Sequence, residues 1–139
     1  MDSVVVTEKL ESLRRCIRRV EEKCPAKLED LVSDPDLQDI LVLNLTRAVQ
    51  LCVDIGSHII SNSEQVAPQT MGEIFPALAQ SGFISNTTSD KLRKAVGFRN
   101  IAVHNYQTIS WEVVHAVSTH SLEDFKSFAK DVSQLLGEQ

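Results

Sequence analysis

The chain has 139 residues, of which 42% are hydrophobic and 24% are charged, and its formal net charge is −5. This length and composition predict one globular domain over residues 1–139 with a single core. Polar and charged side chains interrupt the most apolar stretch, residues 40–60, and residues 1–11 lack the pattern of a signal peptide. We therefore expect a cytoplasmic protein that does not span a membrane.

The charge balance and the cysteines limit the ligands that the chain can bind. A net charge of −5 disfavours nucleic-acid binding over the whole surface, because affinity for RNA comes mainly from neutralising phosphates. An RNA-binding function therefore needs a local basic patch. Cys24 and Cys52 occupy apolar positions, and the three cysteines do not have the spacing of zinc ligands. We predict that Cys24 and Cys52 pack in the core, and we predict no metal and no cofactor.

The first predicted helix covers residues 4–24, where apolar residues recur at alternating gaps of four and three. Thr7 or Ser3 is expected to cap its start, and Pro25 follows its end. The opposite face carries arginines among glutamates, which favours a solvated surface with ion pairs, or alternatively a surface that contacts an RNA backbone. These arginines are Arg14, Arg15, Arg18 and Arg19.

A connector over residues 25–35 leads to a second helix, predicted for residues 36–61. Asp34 should cap this helix, with Pro35 at its first position. Its apolar face is broad, which indicates burial on more than one side, and a line of polar residues interrupts that face. Within this line Asp54 and His58 are four residues apart and are expected to meet, either in a structural network or at a cleft.

The second half of the chain predicts three more helical segments. Thr70 is expected to cap a short helix that Pro76 limits. Ser89 should cap a helix over residues 90–105, and a final helix or helix pair covers residues 111–136. No stretch alternates apolar and polar residues as a strand does. The fold predicted is all-α, an up-and-down bundle of four to five helices.

One segment near the end of the 90–105 helix has side chains suited to phosphodiester cleavage. His104 can take the proton of a ribose 2′-hydroxyl or protonate the leaving oxygen, and a helix C-terminus favours a cationic side chain there. Arg99 can bind a phosphate oxygen and stabilise charge in the transition state. Asn100 shares a helix face with His104 and can orient it or the substrate, while Tyr106 offers a hydroxyl beside them. This chemistry needs no metal.

The pattern Arg99-x4-His104-x-Tyr106, with a polar residue directly after the arginine, resembles the signature of HEPN-domain toxins of the HepT type. The partners of these toxins are minimal nucleotidyltransferase (MNT) antitoxins. The resemblance extends over residues 31–139. Five further segments share the order and spacing of that family: Leu37-Gln38, Cys52-Val53-Asp54-Ile55, His58-Ile59-Ile60, Glu73-Ile74-Phe75 and Gly97-Phe98-Arg99-Asn100.

The resemblance implies a HEPN-like homodimer with a composite, metal-independent ribonuclease site across the two subunits. Arg99 and His104 would then be catalytic, and Asn100 and Asp54 are supporting candidates. Tyr106 matches the tyrosine that the MNT-type nucleotidyltransferase antitoxin modifies with AMP, which blocks the site. The dimer would also bring together Arg93, Lys94 and Arg99 from both copies, which is the basic patch that RNA binding needs.

Two other functions agree with the same residues. The chain is alternatively a non-catalytic nucleotide- or partner-binding subunit of a two-component nucleotidyltransferase, which the negative net charge favours. A third interpretation is an interaction bundle in which Arg99 and His104 only cap a helix.

Overall fold

The protein is entirely helical over residues 2–137, the part of the chain that the computed structural model describes, and no strand occurs in that range. The predicted all-α fold is confirmed. The described residues form seven α-helices instead of four to five, because the first connector contains a short helix and the C-terminal segment is divided in two. One turn of 3-10 helix, Tyr106–Thr108, follows the fifth helix. In chain order the helices are α1 (Ser3–Lys23), α2 (Leu28–Val32), α3 (Pro35–Ser61), α4 (Ile74–Gln80), α5 (Asn86–His104), α6 (Trp111–His120) and α7 (Leu122–Leu135).

The longest helix, α3, is the centre of the bundle and contacts all the other helices, most extensively α1. Lys9 near the start of α1 forms an ion pair with Asp54 near the end of α3, with 3.8 Å between Nζ and Oδ2. This contact shows that α1 and α3 run antiparallel. Burial of each large apolar side chain stabilises the fold by about 1.5–3 kcal/mol. The leucines that α1 and α3 bury completely are Leu10, Leu13, Leu41 and Leu45.

By length and composition alone, α3 is apolar enough to cross a membrane. However, 50% of the apolar window of α3 is buried inside the bundle. A core helix with neighbours on several sides needs an apolar surface of this kind. We therefore assign the apolar surface of α3 to packing within the bundle.

The helix starts show how well local signals predict boundaries. Asp34 caps α3 as predicted, since its carboxylate accepts hydrogen bonds from the backbone of Asp36 and Leu37, and Pro35 is the first helical residue. At α1 the cap is Asp2, and the expectation of Thr7 or Ser3 is wrong. At α5 the cap is Ser85, whose hydroxyl accepts a hydrogen bond of 3.0 Å from the backbone N–H of Thr88.

Because Ser85 caps α5, the polar residues 86–89 form the first turn of the helix, which begins at Asn86 instead of residue 90. Ser89, the predicted cap, lies inside α5 and is buried together with Thr88. The short α4 begins at Ile74 and not near Thr70. Pro76 is its third residue, where the backbone N–H has no helical acceptor, so the proline removes no hydrogen bond of the helix.

The cysteines are all free, and Cys16 and Cys52 are buried, so the predicted packing role of Cys52 is confirmed. Cys24 is half-buried against the core. Burial raises the pKa of each of these thiols, most strongly that of Cys52. The thiols are therefore weak nucleophiles at neutral pH.

Candidate active site

The end of α5 presents the candidate residues. The helix ends at His104, and the backbone N–H of Asn105 closes it with a hydrogen bond of 2.8 Å to the carbonyl oxygen of Ile101. Asn105 then leaves the helical conformation, with φ −149° and ψ 57°, and the 3-10 turn Tyr106–Thr108 follows. His104 is therefore the last residue of the helix, and Tyr106 lies just beyond the same end.

Arg99 lies about one and a half turns before the end of α5 and is half-buried. Its Nη1 donates a hydrogen bond of 3.2 Å to Oδ1 of Asn100. No carboxylate within residues 2–137 forms an ion pair with Arg99. The guanidinium group therefore keeps its charge and most of its donors for a ligand with phosphate oxygens.

His104 is exposed, and its imidazole has no hydrogen-bond partner among the described residues. Both ring nitrogens are therefore accessible to a substrate. A bundle that needed His104 for its own structure would engage the ring in a hydrogen bond or bury it. The exposed, unpartnered position suits a group that exchanges protons with a bound ligand.

Tyr106 is anchored by two contacts although its side chain remains 42% exposed. Its Oη donates a hydrogen bond to Oδ1 of Asp39 on α3, with 3.2 Å between the two oxygens. Its ring meets the ring of Trp111 edge-on, with centroids 6.2 Å apart. Partial burial raises the pKa of the Tyr106 phenol above its usual value, and the hydrogen bond and negative charge of Asp39 raise it further.

The two supporting candidates occupy different places. Asn100 contacts Arg99 and not His104, so the structure assigns its amide to the arginine. Asp54 accepts a hydrogen bond of 2.9 Å from Gln50 and pairs with Lys9, on the side of α3 that faces α1. Tyr106 contacts α3 at Asp39, which is about 22 Å from Asp54 along the helix axis. The structure therefore does not bring Asp54 to the end of α5.

The expected contact between Asp54 and His58 is not formed among the described residues. The carboxylate of Asp54 is engaged by Gln50 and Lys9 instead. The backbone carbonyl of His58 accepts hydrogen bonds from Ser61 and Asn62, which end α3. The carboxylate of Asp54 therefore serves the contact with α1 and not the end of α5.

Asp39 is the residue of this region that sequence reasoning did not identify. It is 67 residues from Tyr106 in the chain and carries no motif. Only the packing of α3 beside the end of α5 brings its carboxylate to the tyrosine. The sequence feature that could have pointed to Asp39 is its position two residues after Leu37, next to a segment that resembles the HEPN-domain family.

Apolar side chains are exposed around the same end of α5. Ile101 and Val103 are 47% and 52% exposed. Ile101 is three residues before His104 and shares its helix face, and Val103 is the residue directly before His104. Next to them, a groove of about 420 Å³ separates α5 from α6. α3 forms its floor, and its walls are mainly apolar. The residues that line these walls and the rim include Phe98, Ile101, Val113, Val117, Lys91 and Lys94.

The basic residues expected beside Arg99 are only partly available. Arg93 pairs with Glu73, with 3.5 Å between Nη2 and Oε1. Lys94 lies at the groove and has no carboxylate partner in the described part of the chain. One copy of the chain therefore offers Arg99 and Lys94 as cations without a carboxylate partner among residues 2–137, and Asp124 lies at the same groove as Lys91 and Lys94.

Comparison with known proteins shows three clear similarities. The model of a family described as "Ribonuclease HepT-like" matches residues 13–132. A protein named mRNA nuclease HepT from Shewanella oneidensis is 38% identical over 124 residues, which cover 89% of this chain and 92% of that protein. A protein named tRNA nuclease HepT from Aphanizomenon flos-aquae is 22% identical over 136 residues, which cover 98% of this chain and 92% of that protein.

A solved structure is similar over nearly the whole chain. It is described as a tri-AMPylated HEPN toxin of Shewanella oneidensis in complex with an MNT antitoxin. It is 36% identical and has a TM-score of 0.87, and the alignment covers 96% of this chain and 98% of that toxin chain. The arrangement of helices around the candidate site is thus that of a HEPN toxin.

Proposed function

The chain belongs to the ribonuclease HepT-like family, and on that premise we propose that it is an endoribonuclease toxin whose partner is an MNT-type nucleotidyltransferase antitoxin. It acts without a metal, in the cytoplasm, as the toxin of a type VII toxin–antitoxin system. The observation that carries the proposal is the accessibility of Arg99 and His104 at one end of α5, where no carboxylate of residues 2–137 pairs with either. In a chain whose relatives are named nucleases, this is the pair that phosphodiester cleavage needs.

The proposed reaction is an attack of the ribose 2′-oxygen on the adjacent phosphorus. A bond forms between O2′ and phosphorus, and the bond between phosphorus and O5′ breaks. His104 takes the proton of the 2′-hydroxyl, and a protonated His104 gives a proton to the departing O5′. Arg99 binds the non-bridging oxygens, whose charge grows in the pentacoordinate transition state. The products are a 2′,3′-cyclic phosphate and a 5′-hydroxyl end.

A homodimer supplies both proton-transfer groups at once. One His104 cannot act as base and acid on opposite sides of the same phosphorus, whereas two copies facing each other across a cleft can. The exposed apolar side chains of Ile101 and Val103 beside His104 support an interface there, since apolar patches of this kind mark contact surfaces. Pairing two copies also doubles the local positive charge of Arg99 and Lys94 against a net charge of −5.

Neutralisation by the partner acts through Tyr106. The nucleotidyltransferase transfers AMP from ATP to the phenol, which is exposed at the same end of α5 as His104. The attached AMP adds bulk and negative phosphate where the phosphate of RNA must bind, so repulsion and steric exclusion both prevent cleavage. The similar toxin that was solved with its MNT antitoxin carries AMP, which supports this form of control.

The proposal is tested by inducing the wild-type protein and His104→Ala in a host that lacks the antitoxin. Growth and total RNA are followed together. Arrest with RNA cleavage for the wild type, and neither effect for the variant, is the expected result. If both soluble proteins leave growth and RNA unchanged, the toxin assignment is wrong and the alternative of a non-catalytic nucleotide- or partner-binding subunit takes its place. Sequencing the 5′-hydroxyl ends then separates mRNA from tRNA as the substrate.

A further inference from the structure

The hydroxyl group of Tyr106 and the carboxylate of Asp39 form an exposed pair that is built by the tertiary fold. Oη of Tyr106 donates to Oδ1 of Asp39 at 3.2 Å, across 67 residues of sequence. Both side chains are accessible to solvent, so a second protein can reach them. No lysine or arginine of residues 2–137 pairs with Asp39, so its charge is not neutralised within the described chain.

Two features make this pair unsuited to a purely stabilising role. An exposed hydrogen bond contributes little to stability, because water replaces it easily. The contact with Trp111 already fixes the position of the Tyr106 ring, with centroids 6.2 Å apart and planes 68° apart. The carboxylate is therefore not required to hold the ring in place, and its position at the hydroxyl points to chemistry at that oxygen.

The chemistry at that oxygen requires a base. The phenol is fully protonated at neutral pH, because burial, the hydrogen bond to Asp39 and the charge of Asp39 all raise its pKa. A neutral phenol is a weak nucleophile and must lose its proton as it attacks phosphorus. Asp39 is the one titratable group in residues 2–137 whose charge acts on Tyr106. Its Oδ1 already accepts the hydrogen bond that the phenolic hydroxyl donates.

We propose that Asp39 is the general base of the toxin's own modification: it takes the proton of Tyr106 while the phenolic oxygen attacks the α-phosphorus of ATP. This inference rests on the proposed function. A bond forms between Oη and the α-phosphorus, and the bond from the α-phosphorus to the bridging oxygen of the β-phosphate breaks. Pyrophosphate leaves with that electron pair, and the phenolic proton moves to the carboxylate. The toxin thus supplies the base, and the antitoxin supplies the bound nucleotide.

The same geometry predicts that the first transfer breaks the contact between Tyr106 and α3. Once AMP is attached, Oη has no proton to donate, and the new phosphodiester carries a negative charge close to Asp39. Like charges at that distance repel. The hydrogen bond to α3 is therefore lost, and the nucleotide is displaced from Asp39 into the open space beside the end of α5.

The experiment measures the rate of AMP transfer by intact mass spectrometry, using ATP, Mg²⁺ and the purified MNT nucleotidyltransferase. All toxin variants carry His104→Ala, which removes the proposed toxicity. Each variant can therefore be produced without the antitoxin and is purified in the unmodified form. The variants are Asp39→Asn, Asp39→Ala and Tyr106→Phe. Asp36→Asn is the matched control, because it removes the same charge one turn earlier on the exposed surface of α3.

We expect Asp39→Asn to slow the first transfer by roughly 100-fold, the size typical of a general base, and Asp36→Asn to change it by less than about twofold. Transfer to Asp39→Asn at the rate of the parent overturns the inference. So does a loss in Asp39→Ala alone, because asparagine still accepts the hydrogen bond but takes no proton. If the parent is not modified, or Tyr106→Phe is modified equally, the proposed control through Tyr106 is wrong instead.

A second measurement needs no substitution at Asp39. The rate of transfer to the parent is measured from pH 4 to pH 9 with the nucleotidyltransferase in excess. If a protein carboxylate takes the phenolic proton, the rate of transfer does not depend on the hydroxide concentration between pH 7 and pH 9. A rate that keeps rising in proportion to hydroxide up to pH 9 contradicts a carboxylate base, since the phenol would then be deprotonated by solvent.

Discussion

The ring of Tyr106 stands edge-on to the ring of Trp111, with centroids 6.2 Å apart and an angle of 68° between their planes. These are the single tyrosine and the single tryptophan of the chain. Trp111 is the first residue of α6, and two later residues of that helix, Val113 and Val117, line the apolar groove. Every tryptophan or tyrosine signal of this protein therefore reports on the candidate site.

We predict that AMP transfer to Tyr106 lowers the fluorescence of Trp111. The reaction breaks the hydrogen bond to Asp39 and attaches an adenine nucleotide to a ring that contacts Trp111, so we expect the adenine to stack on the indole ring and quench its emission. The measurement is tryptophan emission during the reaction with the nucleotidyltransferase and ATP, in the His104→Ala background. Emission that stays constant while mass spectrometry shows full modification would contradict the position given to Tyr106. Tyr106→Phe is the control and should show no change.

We predict that the Tyr106 phenol ionises at a higher pH than an ordinary tyrosine, and that Asp39→Asn brings its pKa down. Burial is the largest cause of the raised pKa and remains in the variant, whereas the charge of Asp39 is removed. Absorbance at 295 nm against pH measures the ionisation of this single tyrosine directly. Circular dichroism over the same range identifies any unfolding. An unchanged pKa in Asp39→Asn would show that the contact is not formed in solution.

The raised pKa of Tyr106 also predicts how the stability of the protein changes with pH. The folded protein holds the phenolic proton more tightly than the unfolded chain does. Stability is therefore unaffected well below pH 10, the usual pKa of tyrosine, and decreases as the pH rises from there through the folded value. Tyr106→Phe has no such proton, so its free energy of unfolding should decrease less between pH 9 and pH 11. Urea titrations of the two proteins at these pH values measure the difference.

The sequence predicted the residues of the motif more easily than their partners. Arg99, His104 and Tyr106 are close in the chain, so their spacing on a helix end is a local property. The capping role of Asp34 was also predictable, because an N-cap side chain forms hydrogen bonds only with the first turn of its own helix. Asp39 was not, because its contact with Tyr106 depends on how α3 packs against the end of α5.

The errors in the prediction have the same physical origin. Several residues near the start of α5 can cap a helix. Thr88 and Ser89 are buried inside α5, and the cap is therefore Ser85. Asp54 and His58 have the spacing of a pair, but α1 brings Lys9 to the carboxylate. Spacing along one helix thus predicts which side chains can meet, and the neighbouring helices decide which do.

We predict that Arg99→Ala lowers RNA cleavage by about 100- to 1000-fold, as the removal of a transition-state donor does. Arg99→Lys keeps the charge but loses the planar fork, so it should restore only part of the activity. The free energy of unfolding should change by less than about 0.5 kcal/mol, because the contact of Arg99 with Asn100 is exposed. Cleavage of a labelled RNA and urea denaturation measure the two effects.

Asn100 acts through Arg99 in this geometry, which a double-mutant cycle tests. Asn100→Ala should reduce cleavage modestly, by about three- to tenfold, because one exposed hydrogen bond orients the guanidinium group. In the Arg99→Ala background the same change should have almost no effect, since its target is absent. Equal effects of Asn100→Ala in both backgrounds would show that the amide contacts His104 or the RNA instead.

We predict that Val103→Asp converts the homodimer into a monomer and abolishes RNA cleavage. Val103 is adjacent to His104 and 52% exposed, so an aspartate there is tolerated by the isolated bundle but places two like charges in the proposed interface. Light scattering after gel filtration measures the mass, and thermal unfolding shows whether the subunit is still folded. The matched control is Val66→Asp, because Val66 lies in the loop between α3 and α4 and is 90% exposed.

Val66→Asp adds the same charge and should leave both the mass and the cleavage rate unchanged. A folded Val103→Asp monomer that is inactive shows that two copies of His104 act on one phosphate. A folded monomer that cleaves RNA at the wild-type rate would contradict the composite site, since a single His104 would then serve as both base and acid. If Val103→Asp remains a dimer and cleaves normally, the interface lies elsewhere, and the groove between α5 and α6 becomes the surface to change next.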